Sequence, residues 1–244
     1  MGLGVGDAME LAATGLVALL FAFVHLGGER LHFLHSVPRS LWLSAAGGVS
    51  VAYVFVHILP DLAHHQQRVE EMGLLASVER QVWLIALAGL AAFHGLERLV
   101  RRRRRTEEDE GDEVFWLHLG AFALYNLLIG YLLLHREEGS GLGLLFYAVA
   151  MGLHFLVNDQ GLREHHGQAY RRARWLLAAA PLAGWALGAA IHLPPLAVTA
   201  LFAFVAGGVI LNVLKEELPE DRDSRFRAFA GGAAGYAALL LLAG

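Results

Sequence analysis

Apolar residues run along this chain in long blocks, and the charged ones collect in the gaps between them. A block of about 20 apolar residues spans the hydrocarbon of a bilayer as a helix, which satisfies all of its backbone polar groups internally. Eight such blocks can be drawn: 8–27, 40–62, 80–99, 114–135, 142–163, 174–193, 195–216 and 225–243. Only a tight turn at Pro194 and Pro195 separates the sixth from the seventh. The first follows an acidic rather than a basic start and lacks a small-residue cleavage site, so it reads as a retained span and not a signal peptide. The pattern predicts an all-α integral membrane protein, with residues 1–244 forming one polytopic domain.

Charge then sets the orientation. With the N-terminus outside, sixteen of the nineteen Lys and Arg residues fall on the inner side and only Arg68, Arg80 and Arg136 on the outer. This positive-inside bias puts both termini outside and, in a bacterial cell, fits the inner membrane. The charged loop 100–113 joins five consecutive arginines, Arg101–Arg105, to an acidic stretch ending at Glu113. It reads as a cytoplasmic topology anchor with a solvated linker, and the acidic half argues against nucleic acid as a partner. Composition agrees with a lipid partner: 56% of residues are hydrophobic, 17% are charged and the mean hydropathy is +0.48. There is no cysteine, so disulfides and thiolate metal sites drop out.

Polar side chains inside apolar spans are costly and mark function. The fifth span carries His154, Asn158 and Asp159 in its inner half. His154 and Asn158, four apart, share one helical face, with Asp159 about 100° further round. The fourth span offers a second polar face, with His118 and Tyr125 seven apart and Asn126 beside Tyr125. These two spans hold the candidate site.

The second span, AGGVSVAYVFVHILPD (Ala46 to Asp61), and the seventh, AGGVILNVLKEELPE (Ala206 to Glu220), share a Gly-Gly start and a Leu-Pro-acid end. By the charge count they cross the membrane in opposite directions. They imply an inverted repeat of spans 1–3 and 6–8 around a central pair, 4 and 5, although Gly-Gly packing and Leu-Pro endings also recur in unrelated membrane helices.

With GLERL at Gly95 to Leu99, these stretches resemble the ZIP family of divalent metal transporters, and the likeness covers most of the chain. The resemblance implies an eight-helix bundle with metal ligands on spans 4 and 5, one helix group moving against another, and a homodimer. It implies zinc, iron or manganese as substrate and no organic cofactor. In span 4 the family pattern of His-Asn-x-x-acid-Gly keeps only Asn126 and Gly130, with Tyr125 in the His position. In span 5, His154 stands first, Phe155 replaces the acid and Val157 the proline.

The metal candidates are therefore His154, Asn158, Asp159 and Asn126, which offer one imidazole, two amide oxygens and one carboxylate. They suit a loosely held, partly hydrated ion and not a carboxylate-bridged pair. Alternatively they hydrogen-bond across the helix pair as structural glue. A second set, His57, Asp61 and one of His64 and His65, reads either as a capture site at the outer mouth or as a solvated helix end after Pro60. His25, His94 and His192 stand singly on apolar stretches and read as packing residues, while Glu97 reads as a local ion pair with Arg98. No Ser-His-Asp set, HExxH or Gly-x-Ser-x-Gly is present, which argues against an enzyme. Two readings remain: a divalent metal carrier, and a non-transporting protein of the same fold acting as sensor, regulator or assembly partner.

Overall fold

The computed structural model describes residues 5–27, 41–71, 80–106, 112–136, 141–217 and 226–243. Among these residues the regular structure is entirely helical. The α-helices are α1 (Val5–Gly27), α2 (Leu41–Tyr53), α3 (Leu59–Glu71), α4 (Gln81–Thr106), α5 (Asp112–Leu132), α6 (Gly141–Ala190), α7 (Pro195–Asn212) and α8 (Phe226–Ala243). Five segments are long and apolar enough to cross a membrane: Gly6–Gly27, Ser44–Glu71, Gln81–Leu99, Gly141–Asp159 and Pro195–Lys215. Leu119–Leu132 and Phe226–Leu242 are shorter apolar helices. The protein is thus built as a multi-pass membrane protein.

The eight helices do not map one to one onto the eight predicted spans. The second span is a single rod in which α2 passes into α3 through a π-helical turn, Val54–Ile58. A second π-turn, Val213–Glu217, follows α7. Each ends two residues before a proline, Pro60 and Pro219. Proline donates no backbone hydrogen bond and crowds the carbonyl of the preceding turn, and a widened turn accommodates both effects. Leu59 N–H reaches back to the Val54 carbonyl, five residues away, and the rod continues through Pro60. The two stretches that look alike in sequence therefore carry the same backbone irregularity at the same distance from their prolines.

Conversely, α6 contains two predicted spans in 50 helical residues. A straight helix would separate His154 from Pro181 by about 40 Å. Yet Tyr125 bonds His154, and Gly130, little more than one turn further along α5, abuts the Pro181 carbonyl. The chain must reverse within α6, giving a first arm up to Asp159 and a second arm from Leu177. A core of Leu119, Leu162, Tyr170, Ala173 and Leu177, flanked by Phe122 and Ala123, ties the stretch between the arms and the start of the second arm to α5. The arginine run at 101–105 extends α4 as helix, and α5 starts at Asp112.

The chain divides into two compact units interleaved in sequence. Unit 1 is Met1–Arg30 with Leu99–Leu193, and unit 2 is Leu31–Arg98 with Pro194–Gly244. Within unit 1, α1 runs parallel to the first arm of α6: Phe21 meets Phe155 and His25 meets Asp159, both at the same register offset. The second arm packs on α5 through Gly130 against Pro181 and Gly184 against Leu127. Within unit 2, Gly48 and Gly232 lie against backbone of α8 and α2, and Gly89 and Gly207 against backbone of α7 and α4. A Cβ at any of these positions would overlap a main-chain atom of its neighbour, so only glycine permits the contact. Number the spans one to eight and the partners are 1 with 5, 4 with 6, 2 with 8 and 3 with 7. Exchanging 1 with 6, 2 with 7, 3 with 8 and 4 with 5 maps this set onto itself.

Large apolar side chains lie on the surface, and polar ones are buried within a mainly apolar interior. Leu16, Leu19, Phe23, Leu87, Leu145 and Leu241 are all more than half exposed, whereas Thr14, His25, Ser50, Asn126, His154 and Asp159 are buried. Trp42, Trp83, Trp116 and Trp175 are exposed, each close to the end of a predicted span. Glu97 forms an ion pair with Lys215 on the π-turn after α7, a partner distant in the sequence within unit 2.

Gly207→Ala is expected to destabilise the protein by about 1–3 kcal/mol, because the added methyl meets the Ala86 carbonyl. Gly95→Ala, with open space around it, is expected to be neutral or stabilising by up to about 1 kcal/mol. Thermal melts of the two variants in detergent give the comparison.

Candidate functional site

Two adjacent pairs of polar residues face each other in unit 1: Tyr125 and Asn126 on α5, and Asn158 and Asp159 on α6. His154, one turn before Asn158, and His25 on α1 complete the cluster. All six side chains are buried, His154 and Tyr125 completely.

The cluster is wired as two chains. In the first, His25 Nδ1–H donates to the Asp159 carboxylate at 2.8 Å, while Asn126 Nδ2 donates to His25 Nε2 at 3.0 Å. This fixes a neutral imidazole with its proton on Nδ1 and its lone pair on Nε2, held between α6 and α5. In the second, the Tyr125 hydroxyl at 3.1 Å and Asn158 Nδ2 at 3.0 Å both converge on Nε2 of His154. Each chain thus presents one imidazole Nε2, and each Nε2 is met by an asparagine amide. Asn158 Oδ1 is buried without a hydrogen-bond partner. A buried amide oxygen lacking a donor costs about 1–3 kcal/mol.

Phe155 separates the two imidazoles. Its ring centroid is 4.9 Å from that of His25 and 6.2 Å from that of His154, and it packs edge-on against Phe21 at 5.0 Å. An aromatic face thus stands where the ZIP-like pattern would carry a carboxylate. Among the described residues no group of three His, Cys, Asp or Glu side chains is close enough to enclose a metal ion by itself. Any cation here would draw on the asparagine oxygens as well.

Asn126, His154, Asn158 and Asp159, picked out in the sequence, come together in this cluster. His25, assigned a packing role, joins them as the partner of Asp159. Thr14 lies eleven residues before His25, three helical turns away and on the same face, and also makes an interhelical bond, from Trp185 Nε1 at 3.1 Å. A polar stripe along α1 was therefore written in the sequence. The side chains of His118, His165 and His166 fall outside the described residues.

The second predicted set lies in unit 2 and is more dispersed. His57 Nε2 and an Asp61 oxygen approach to 3.5 Å, with the imidazole tilted against the Tyr53 ring. His64 is exposed. His65 is buried and turned toward α7, where Thr199 and Arg68 both donate to its Nδ1 at 3.1 Å and Phe202 covers its ring. With two donors on Nδ1, this ring is neutral and occupied, so the adjacent histidines point to different surroundings.

Replacing His25 by Leu strands the Asp159 carboxylate and is expected to cost about 3–5 kcal/mol, whereas His25→Leu combined with Asp159→Leu is expected to recover most of that loss. Melting of the single and double variants in detergent measures the coupling. Compared with family models, with curated proteins and with solved structures, the chain matches none.

Proposed function

We propose that this protein is a carrier of a divalent metal cation with a ZIP-like helix arrangement, set in the inner membrane with both termini outside. The observation that carries the reading is the buried cluster of His25, Asn126, His154, Asn158 and Asp159, with Asn158 Oδ1 unpartnered. Intramembrane ionisable groups lie on substrate pathways more often than in structural roles. The exchange symmetry of the helix partners supports it too, since inverted repeats place a cargo site near the midplane between them.

In this reading the asparagines work as two-way switches. As they stand, both amides turn their NH2 groups toward imidazole nitrogen. Rotation of each amide by about 180° presents oxygen instead, which releases Nε2 of His25, and Nε2 of His154 once the Tyr125 hydroxyl also turns away. A zinc, manganese or iron ion would then meet two imidazole nitrogens, two amide oxygens and the Asp159 carboxylate, a mixed nitrogen and oxygen set suited to that class. All these groups lie in unit 1, so the cargo travels with one set of helices.

A second reading has its own observation in favour. The network closes on itself and Phe155 fills its centre, as in a protein that keeps the fold for sensing or assembly and carries nothing.

Uptake into proteoliposomes separates the two. Radioactive zinc, manganese or iron is expected to enter faster with the protein than without it. His154→Ala is expected to lower the rate by about tenfold or more, as loss of a principal ligand should. Equal uptake with and without the protein, for all three ions, rejects the carrier and leaves the second reading.

A further inference from the structure

The far end of α5 carries a feature that the central cluster does not use. The helix finishes in tightened turns, with Leu133 N–H bonded to the Gly130 carbonyl and His135 N–H to that of Leu132. His135 Nδ1–H then folds back to cap the Tyr131 carbonyl at 3.0 Å, and its ring stacks on the Tyr131 ring at 4.5 Å and 8°. This fixes the proton of the neutral ring on Nδ1 and leaves the Nε2 lone pair available.

The same tyrosine holds the segment after α6. Its hydroxyl donates to the Ile191 carbonyl at 3.1 Å and accepts from Leu193 N–H at 3.3 Å, so one phenol grips the peptide groups on both sides of His192. The His192 ring stands edge-on to that of His135, with centroids 6.4 Å apart. A metal ion about 2.0–2.1 Å from an imidazole nitrogen lies roughly 3.2 Å from the ring centroid. Two rings sharing one ion therefore have centroids roughly 5 Å apart at a tetrahedral angle and roughly 6.4 Å apart when they bind from opposite sides, and the spacing here is that of opposed ligands. The nearby cation is turned elsewhere: Arg136 donates to the Leu133 carbonyl and lies over the Tyr147 ring.

We infer that His135 and His192 form a two-imidazole site for a borderline transition-metal ion at this end of unit 1, with Tyr131 as the residue that positions both. Water completes the coordination, and the site is independent of the central cluster. His135 is half-buried and His192 exposed, which leaves the ion open to solvent.

Cu2+ alone, added below stoichiometry to the full-length protein in detergent, provides the probe. Electron paramagnetic resonance is expected to show two imidazole nitrogens coupled to the copper. His135→Ala and His192→Ala each leave one nitrogen in that signature. Tyr131→Phe keeps the ring stack and both ligands but loses the grip on Ile191 and Leu193, and is expected to weaken binding about tenfold. The larger loss belongs to the two histidine variants. His25→Ala and His154→Ala retain the signal. An unchanged signal in the His135 and His192 variants, its loss in the His25 or His154 variants, or no coupled nitrogen in the parent protein overturns the inference.

Discussion

A carboxylate inside a bilayer dictates its surroundings, and here the 2.8 Å contact between Asp159 and His25 organises unit 1. Alone in hydrocarbon, the carboxylate would cost several kcal/mol, so α1 must lie where its histidine can reach. That register sets Phe21 against Phe155 and turns the other nitrogen of His25 toward Asn126. Asn126 draws in α5, and with it comes Tyr125, which reaches His154. One hydrogen bond to a carboxylate thus propagates through three helices by way of adjacent polar residues.

Lipid offers no hydrophobic drive for helices to associate, so the remaining contacts rely on close approach. Glycine supplies it at reciprocal positions, Gly48 with Gly232 and Gly89 with Gly207 in unit 2, Gly130 with Gly184 in unit 1. Spans 2 and 7 differ in most side chains and share a Gly-Gly start and a π-turn before Leu-Pro. Backbone geometry is the feature such a repeat must preserve, because the pairing of helices depends on it.

Much of this was legible in the chain. Apolar blocks marked the core of most described helices, although most of α3 lies beyond the second block and the arginine run extends α4 past the third. The spacing of His154, Asn158 and Asp159 placed them on neighbouring faces. What escaped had a common cause: it depended on a partner distant in sequence. His25 looks like a solitary histidine until α1 is laid beside α6, 134 residues away. His64 and His65 are chain neighbours, and only the packing of α3 on α7 buries the second and leaves the first exposed. The helical continuity of α6 through its reversal could not be read from hydropathy, since the polar stretch between its arms looks like a loop.

Charge decides what the central cluster is able to hold. Asp159 is its one carboxylate, and the imidazoles are neutral as hydrogen-bonded, so a divalent ion would find only half of its charge offset by a formal anion. The balance would fall to the dipoles of Asn126 and Asn158, which are weaker ligands, and Phe155 occupies the place from which a second carboxylate would act. Were the cluster to take such an ion, it would hold it loosely. Loose binding is a defect in a sensor, which must stay occupied at low concentration. In a carrier it is a requirement, because an ion held by several carboxylates in a dry cavity would enter and not leave.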